Sequence, residues 1–223
     1  MKSFAVLALV FTSLFEIAQC HYMFQYLIAN GQQGAKYQNV RKNTNYNSPV
    51  QALDSTDLRC NVGASNNGGN TTTVAVAAGS SVGFSADVAV YHLGPVAFYM
   101  TKVESAAAAD GSTDWFKIKE IGPTFSGGKA QWDMSQTYSA TIPACLAPGD
   151  YLLRIEQTGL HVPGRPEFFI SCAQLKVTGG GSVNPQPTSK IPGHISPSDP
   201  GYTANIYDGF TSYTVPGPQA VTC

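Results

Sequence analysis

Residues 167–179 read EFFISCAQLKVTG, a run of aromatic, aliphatic and β-branched residues that ends at a glycine. Such runs, bounded by Gly, Pro, Asn or Ser, are typical of strands. Six more precede it: TTTVAVAAG (71–79), SVGFSADV (81–88), GPVAFYMTKV (94–103), WFKIKEIG (115–122), TYSATIPA (137–144) and DYLLRIEQ (150–157). Strands of four to eight residues separated by turn signals predict an all-β fold: an antiparallel immunoglobulin/fibronectin-like sandwich with long loops. We expect short helical turns near 104–111 and 131–136.

Residues 1–20 have the pattern of a secretory signal peptide. Lys2 precedes an apolar run that is too short to span a bilayer, and the small residue Cys20 stands just before the expected cleavage point. No second apolar run is long enough to cross a membrane. We therefore expect a secreted, extracellular protein whose mature chain begins with His21.

Residues 21–223 have a length that suits one β-rich domain. Residues 179–200 are rich in Gly, Pro and Ser, but too little chain follows them to form another domain. We therefore predict that residues 179–223 form an extended C-terminal surface segment, with no separate carbohydrate-binding module.

The charge balance limits the classes of partner. Thirteen basic residues against fourteen acidic ones give a net charge of −1, and only 12% of residues are charged. This composition argues against nucleic acid or an anionic membrane as partner. A neutral, hydroxyl-rich partner is compatible with it.

Four cysteines remain after the expected cleavage: Cys60, Cys145, Cys172 and Cys223. An even number in a secreted chain predicts two disulfides, and the spacing leaves all three pairings open. The sequence NTT at Asn70 is an acceptor site for N-glycosylation, which fits a secreted eukaryotic protein.

A histidine at the N-terminus can chelate a metal through its α-amine and its ring Nδ1. Both groups lose a proton easily when a metal binds. A second histidine would complete a plane of three nitrogens, which favours Cu(II) over tetrahedral Zn(II). His92 is a candidate because the GP that follows it in YHLGPVAFYM interrupts the strand pattern and could place the imidazole at a sheet edge. His194 has no motif around it, and we expect it at the surface.

Several segments occur in one order along the chain: His21 at the mature terminus, HLGPVAFYM, IPACLAPGDYLLRIE, GLH, FFISCAQLKVTG and NIYDGFTSYTVPGP. Each segment is weak evidence alone, but the ordered set is specific and spans nearly the whole mature chain. In this set the protein resembles the fungal lytic polysaccharide monooxygenases of auxiliary activity family nine.

The resemblance implies a site with one copper ion per chain. His21 and His92 match the two histidines that bind this copper. His161, in GLH, matches a histidine that hydrogen-bonds the reacting oxygen beside the metal. In EFF, Glu167 stands where the family usually has glutamine, and Phe169 where it usually has the tyrosine on the metal's long axis. We expect Phe169 to make that side apolar and drier, and Glu167 to act in catalysis as a hydrogen-bond acceptor, or as a donor if burial raised its pKa.

The resemblance also implies the disulfides Cys60–Cys172 and Cys145–Cys223. Tyr207 and Tyr213 match tyrosines that lie on polysaccharide, where a ring can pack against the C–H face of a sugar. The alternative for this pair is that one of the two rings packs inward.

The activity implied is oxidative cleavage of β-1,4-linked glucan, such as cellulose, at C1 and/or C4, with dioxygen or hydrogen peroxide and an external electron donor. We expect a monomer. One competing hypothesis is a non-catalytic, copper-binding protein of the cell wall with an altered site. Another is a hydrolase or a plain carbohydrate-binding module, for which Glu156 and Glu167 are carboxylates of the right type but without a supporting motif.

Overall fold

The computed structural model describes residues 21–207 and 209–223, so the predicted signal peptide lies outside the described residues. The described chain is built from β-strands. In chain order they are β1 (Phe24–Ala29), β2 (Gln32–Gln33), β3 (Val74–Ala77), β4 (Ser81–Ala86), β5 (Val96–Val103), β6 (Phe116–Ile121), β7 (Thr124–Ser126), β8 (Lys129–Gln131), β9 (Thr137–Thr141), β10 (Gly149–Gly159) and β11 (Glu167–Thr178).

The strands form two main sheets and one small hairpin. The first sheet has the order β2-β1-β4-β9, the second has the order β3-β11-β10-β5-β6, and β7 pairs with β8. All neighbours are antiparallel except β3 and β11, which run parallel. The predicted antiparallel β-sandwich is therefore confirmed.

The main core lies between the two sheets, and a second core lies on the outer face of the five-stranded sheet. Phe84, Phe98 and Leu153 are in the main core. Trp115 and Phe168 are in the second core, under the loops and the C-terminal segment. Strands β10 and β11 thus carry buried residues on both faces, which explains their length of 11 and 12 residues and their lack of simple alternation.

Of the two expected helical turns one is present, and further short turns lie elsewhere. Short 3₁₀ turns occupy Thr56–Leu58, Ala64–Asn66 and Gly68–Asn70. Within residues 104–111 the N–H groups of Ala108 and Ala109 both donate to the carbonyl of Ser105 and close one helical turn, whereas residues 131–136 contain only a bend and extended chain. At Thr56–Leu58 the reason is local, because the Ser55 side chain accepts a hydrogen bond from the Asp57 N–H and caps the turn.

Two disulfides hold loops and the chain end to the sheets. Cys60 is bonded to Cys172 in β11, and Cys145 is bonded to Cys223, which is the pairing that the resemblance implies. The C-terminal segment also pairs with the second sheet through its backbone, since the Val221 N–H donates to the carbonyl of Lys117. No helix within residues 21–207 and 209–223 is long and apolar enough to cross a membrane.

The expectation that His194 lies at the surface is wrong. His194 is only 5% exposed, and its Nε2 lies 3.1 Å from Oε2 of Glu156 in β10. Glu156 also accepts a hydrogen bond from Arg154. His194 therefore fastens the C-terminal segment to the five-stranded sheet. No sequence motif indicates this contact, because the partners are far apart in the chain.

Candidate metal centre

The ends of three neighbouring strands bring the predicted site residues together at one end of the five-stranded sheet. Strand β10 ends at Gly159 opposite Glu167, where β11 begins. Two residues earlier in β10, Gln157 faces Val96 at the start of β5. The segments just before β5 and just after β10, which carry His92 and His161, therefore meet at this end of the sheet.

The segment after His21 is held by contacts on both sides. The Asn47 side chain donates to the carbonyl of His21 over 3.3 Å, and the N–H of Met23 donates to Asp87 over 2.8 Å. Between them Tyr22 is 1% exposed. The buried side chain of Tyr22 and the two hydrogen bonds thus hold His21 at this end of the sheet.

Gly94 lets the loop of His92 approach β10 closely. Its φ is +152°, and a Cβ atom at this position would lie 1.8 Å from the carbonyl oxygen of Thr158. The N–H of Leu160 donates to the carbonyl of Leu93 over 2.7 Å and closes the same turn. Only glycine fits at position 94, so the sequence LGP after His92 allows this histidine to lie at the end of the sheet.

The rings of the site lie close together. The ring centres of His21 and His92 are 5.4 Å apart, and the ring of His161 stacks on His92 at 3.8 Å with an interplanar angle of 14°. Phe169, which is 3% exposed, lies 5.4 Å from both His21 and His92. One potential ligand atom from each of His21, His92 and Glu167 can be chosen so that all three lie within 4.8 Å of one another.

Glu167 lies between two imidazoles. Its Oε2 is 3.6 Å from Nε2 of His161 and 3.8 Å from Nε2 of His21. Nε2 of His21 is the ring nitrogen that chelation through the amine and Nδ1 leaves unused. The side chain of Gln51 donates to the other carboxylate oxygen over 3.0 Å. The carboxylate is therefore a hydrogen-bond acceptor beside His21 and His161, next to the place where a metal could bind.

Gln157 is part of the site, although the sequence analysis missed it. It is fully buried, accepts a hydrogen bond from the Tyr22 hydroxyl, and donates to the carbonyl of His92 over 3.1 Å. Burial raises the pKa of the Tyr22 phenol far above its usual value, so Tyr22 stays a neutral donor. Gln157 thus links the two histidine-bearing segments. No local pattern singles out Gln157, because the same strand also carries Arg154 and Glu156.

The two predicted tyrosines of the C-terminal segment have different surroundings. Tyr207 is 56% exposed, and its hydroxyl donates to the carbonyl of His161 over 2.9 Å. Tyr213 packs against the rings of Trp132 and Phe210, and its hydroxyl donates to the carbonyl of Gly201. Tyr207 therefore presents a ring to solvent next to the site, whereas Tyr213 supports the segment from inside.

A second exposed tyrosine, Tyr46, lies on the other side of the N-terminus and was not predicted. It is 79% exposed and precedes Asn47, which holds the carbonyl of His21. The side chain of Asn43 donates to the carbonyl of Tyr46. Exposed rings thus occur in segments that contact His21 and His161.

The surroundings of Glu156 exclude it as a glycosidase carboxylate. Glu156 is 2% exposed and in contact with Arg154 and His194. Burial opposes its ionisation, but Arg154 and His194 outweigh burial and lower the pKa of Glu156 to about 2. A carboxylate that is buried and paired with Arg154 and His194 cannot flank a glycosidic bond of a bound sugar.

The sequence and fold were compared with known proteins. The model of Auxiliary Activity family 9 (formerly GH61) matches residues 21–214. AA9 family lytic polysaccharide monooxygenase E of Podospora anserina is 51% identical over 227 residues, covering 100% of this chain and 76% of that protein. AA9 family lytic polysaccharide monooxygenase A of Botryotinia fuckeliana is also 51% identical, covering 98% of this chain and 68% of that protein.

Solved structures give the same result. The crystal structure of HiLPMO9B superposes with a TM-score of 0.79 at 30% identity and covers 90% of this chain and 99% of its own. A cellulose-active polysaccharide monooxygenase from M. thermophila gives a TM-score of 0.77 at 28% identity, covering 90% of this chain and 98% of its own. The structural similarity thus extends over nine-tenths of this chain.

Proposed function

This chain belongs to auxiliary activity family 9 and is a lytic polysaccharide monooxygenase, and on that premise we propose that His21 and His92 hold one copper ion. The observation that carries the proposal is the convergence of potential ligand atoms of His21, His92 and Glu167 within 4.8 Å. The amine of the mature N-terminus would be the third nitrogen ligand. The family match begins at His21, which supports cleavage after Cys20.

The donor set fits copper. Two imidazoles and an amine are nitrogen donors of the kind that a tetragonal Cu(II) ion prefers. When bound, copper supplies the redox chemistry, which with an external electron donor and dioxygen or hydrogen peroxide oxidises C1 or C4 of a sugar before the glycosidic bond breaks by elimination.

Side chains around the site orient the two histidines and exclude water from one side of it. Gln157 fixes the segments of both histidines through Tyr22 and the His92 carbonyl. Phe169 covers one side of the imidazoles with an apolar ring and keeps water from that side. Glu167 and His161 place an acceptor and a ring nitrogen 3.6 Å apart, next to the position where the co-substrate would react.

For the substrate we propose a neutral β-1,4-linked glucan such as cellulose. Tyr207 supplies an exposed ring at the site, and Tyr46 supplies another. Aromatic rings of this kind pack against the C–H faces of sugars without needing charge. A solved structure with 28% identity is described as cellulose-active, which supports the same class of substrate.

We also propose a secreted, monomeric, single-domain enzyme. Two disulfides suit an oxidising compartment. Asn70 is exposed, as a glycosylation acceptor must be. A single domain is supported by Val221 and His194, which both connect residues 179–223 to the five-stranded sheet.

Calorimetry on the mature protein tests the copper site. We expect one equivalent of Cu(II) to bind tightly, and His92→Ala to weaken this binding at least 100-fold because one of three nitrogens is lost. A variant with one extra alanine before His21 should also bind weakly, since its amine is displaced. Unchanged affinity of His92→Ala would show that His92 is not a ligand. Unchanged affinity of the variant with the extra alanine would show that the amine of His21 is not a ligand.

Product analysis tests the activity. Mass spectrometry of cellulose digests with copper and ascorbate should show oxidised oligosaccharides, and a chelator should abolish them. Non-oxidised products that persist in chelator would contradict the proposed reaction on this substrate.

A further inference from the structure

Gln51 is a cross-strand neighbour of Glu167. The N–H of Val50 donates to the carbonyl of Phe168 over 2.9 Å, and the N–H of Phe168 donates to the carbonyl of Val50 over 2.9 Å. This antiparallel bridge sets residue 51 beside residue 167. Phe168 is fully buried, so the bridge is anchored in the second core. The backbone itself thus fixes the distance between the two side chains.

The two oxygens of the Glu167 carboxylate have different environments. Oε1 accepts a hydrogen bond from Nε2 of Gln51 over 3.0 Å. Oε2 is buried, and no hydrogen-bond donor among the described residues reaches it. Instead it faces Nε2 of His161 at 3.6 Å and Nε2 of His21 at 3.8 Å. These distances are too long for direct hydrogen bonds and leave Oε2 available as an acceptor.

We propose that Gln51 is a positioning residue, which holds the Glu167 carboxylate so that Oε2 stays directed at the space between His21 and His161. The proposal rests on the proposed function and goes beyond it by adding a residue outside the metal-binding segments. A carboxylate turns easily about its last side-chain bond, because that torsion has a broad energy profile. A single donor on Oε1 restricts this rotation and leaves Oε2 to accept from a water or an O–H group between the imidazoles.

Gln51 is exposed, so its replacement leaves the core intact and its effect can be measured in a folded protein. Gln51→Ala removes the donor and Gln51→Glu replaces it with an acceptor that repels Glu167. Gln33→Ala in β2 is the matched control for loss of an exposed glutamine. Equal thermal unfolding temperatures of all variants would show that folding is unaffected.

The first readout is the rate of polysaccharide oxidation by the copper-loaded enzyme. We expect Gln51→Ala to lower the rate about tenfold, as loss of a hydrogen bond to a charged group would, and Gln51→Glu to lower it further. In a Glu167→Ala background, Gln51→Ala should change the rate less than twofold, because Gln51 acts only through Glu167. Equal effects of Gln51→Ala in both backgrounds, or an unchanged rate in Gln51→Ala, would overturn the proposal.

The second readout needs neither copper nor activity. In nuclear magnetic resonance spectra of the metal-free protein, the side-chain NH₂ signals of Gln51 should shift when Glu167 is replaced by alanine, while those of Gln33 should not. Unshifted Gln51 signals would overturn the contact. Absence of oxidation by the wild-type enzyme, with the Gln51 shift present, would instead contradict the proposed function.

Discussion

The hydroxyl of Tyr207 donates a hydrogen bond to the main-chain carbonyl of His161 over 2.9 Å. The C-terminal segment therefore contacts the candidate metal centre through His161, although residue 207 is 46 positions away from residue 161 in the chain. The contact places an exposed ring beside the histidines and restricts its movement.

Two substitutions of Tyr207 should distinguish the contribution of its ring to substrate binding from the contribution of its hydrogen bond. We expect Tyr207→Ala to weaken binding to cellulose about three- to tenfold, because a ring that packs on sugar is lost. Tyr207→Phe keeps the ring and should bind nearly as well as the wild type. Binding isotherms on cellulose check both, and equal binding by wild type and Tyr207→Ala would remove Tyr207 from the substrate face.

Phe169→Tyr should change the electronic environment of bound copper. The ring centre lies 5.4 Å from those of both His21 and His92, so an added hydroxyl would bring an oxygen close to a copper ion held by these two histidines. We expect a measurable shift of the Cu(II) electron paramagnetic resonance parameters with little change in affinity, since the nitrogens supply most of the bonding. An unchanged spectrum would mean that Phe169 only packs within the sheet.

Gly159→Ala should disturb the stack of His92 and His161. A Cβ at this position would lie 3.2 Å from Nδ1 of His161 and 3.3 Å from Cβ of His92. Both neighbours would have to move, so we expect stability to fall by about 1–3 kcal/mol and copper affinity to fall with it. Gly69→Ala is the control, because nothing lies within 4 Å of a Cβ there. Urea unfolding and calorimetry measure the two effects, and equal behaviour of both variants would contradict the expectation.

The contact of His194 with Glu156 should make stability fall in acid. Burial lowers the pKa of His194 against the opposing effect of Glu156, so below about pH 6.5 the unfolded chain binds a proton that the folded protein does not. The pKa of Glu156 is also lowered, to about 2, so its contribution to stability is present above about pH 4.5 and is lost as the pH falls toward 2.

Both groups therefore change the free energy of unfolding in the same direction. Chemical denaturation at pH 7, 5.5 and 4 should show a steady decrease in this free energy. His194→Gln keeps a donor to Glu156 but cannot titrate, so it should flatten the decrease between pH 7 and 5.5. An identical slope in the variant would show that other groups cause the acid sensitivity.

All seven strands predicted from the sequence occur in the structure, as β3 to β6 and β9 to β11. In β10 and β11 apolar and β-branched residues are dense, because these strands are buried on both faces. Strand β1 (FQYLIA) was missed although it lies inside its sheet, since only Tyr22 and Met23 separate it from His21 and no turn signal precedes it. Strands β7 and β8 are exposed three-residue segments with no apolar pattern to find.

The residues themselves indicated only His21 and His92 of the candidate site, whereas His161, Glu167 and Phe169 were indicated by the resemblance to the family. His92 was indicated by the glycine and proline that follow it, and Gly94 shows the steric reason. Gln51 and Gln157 carry no such mark, because their roles arise from the bridge of Val50 with Phe168 and from the register of β10. The burial of His194 likewise depends on a contact across 38 residues of chain.

The disulfide of Cys145 and Cys223 makes residues 21 and 223 unequal as points at which the enzyme can be attached to a support. Cys145 lies just before the start of β10, whereas the metal centre lies at that strand's far end, about 30 Å away for a strand of 11 residues. A dye, an affinity handle or a solid surface coupled after Cys223 would therefore leave the histidine face pointing away from it. The same group coupled before His21 would occupy the amine on which chelation depends.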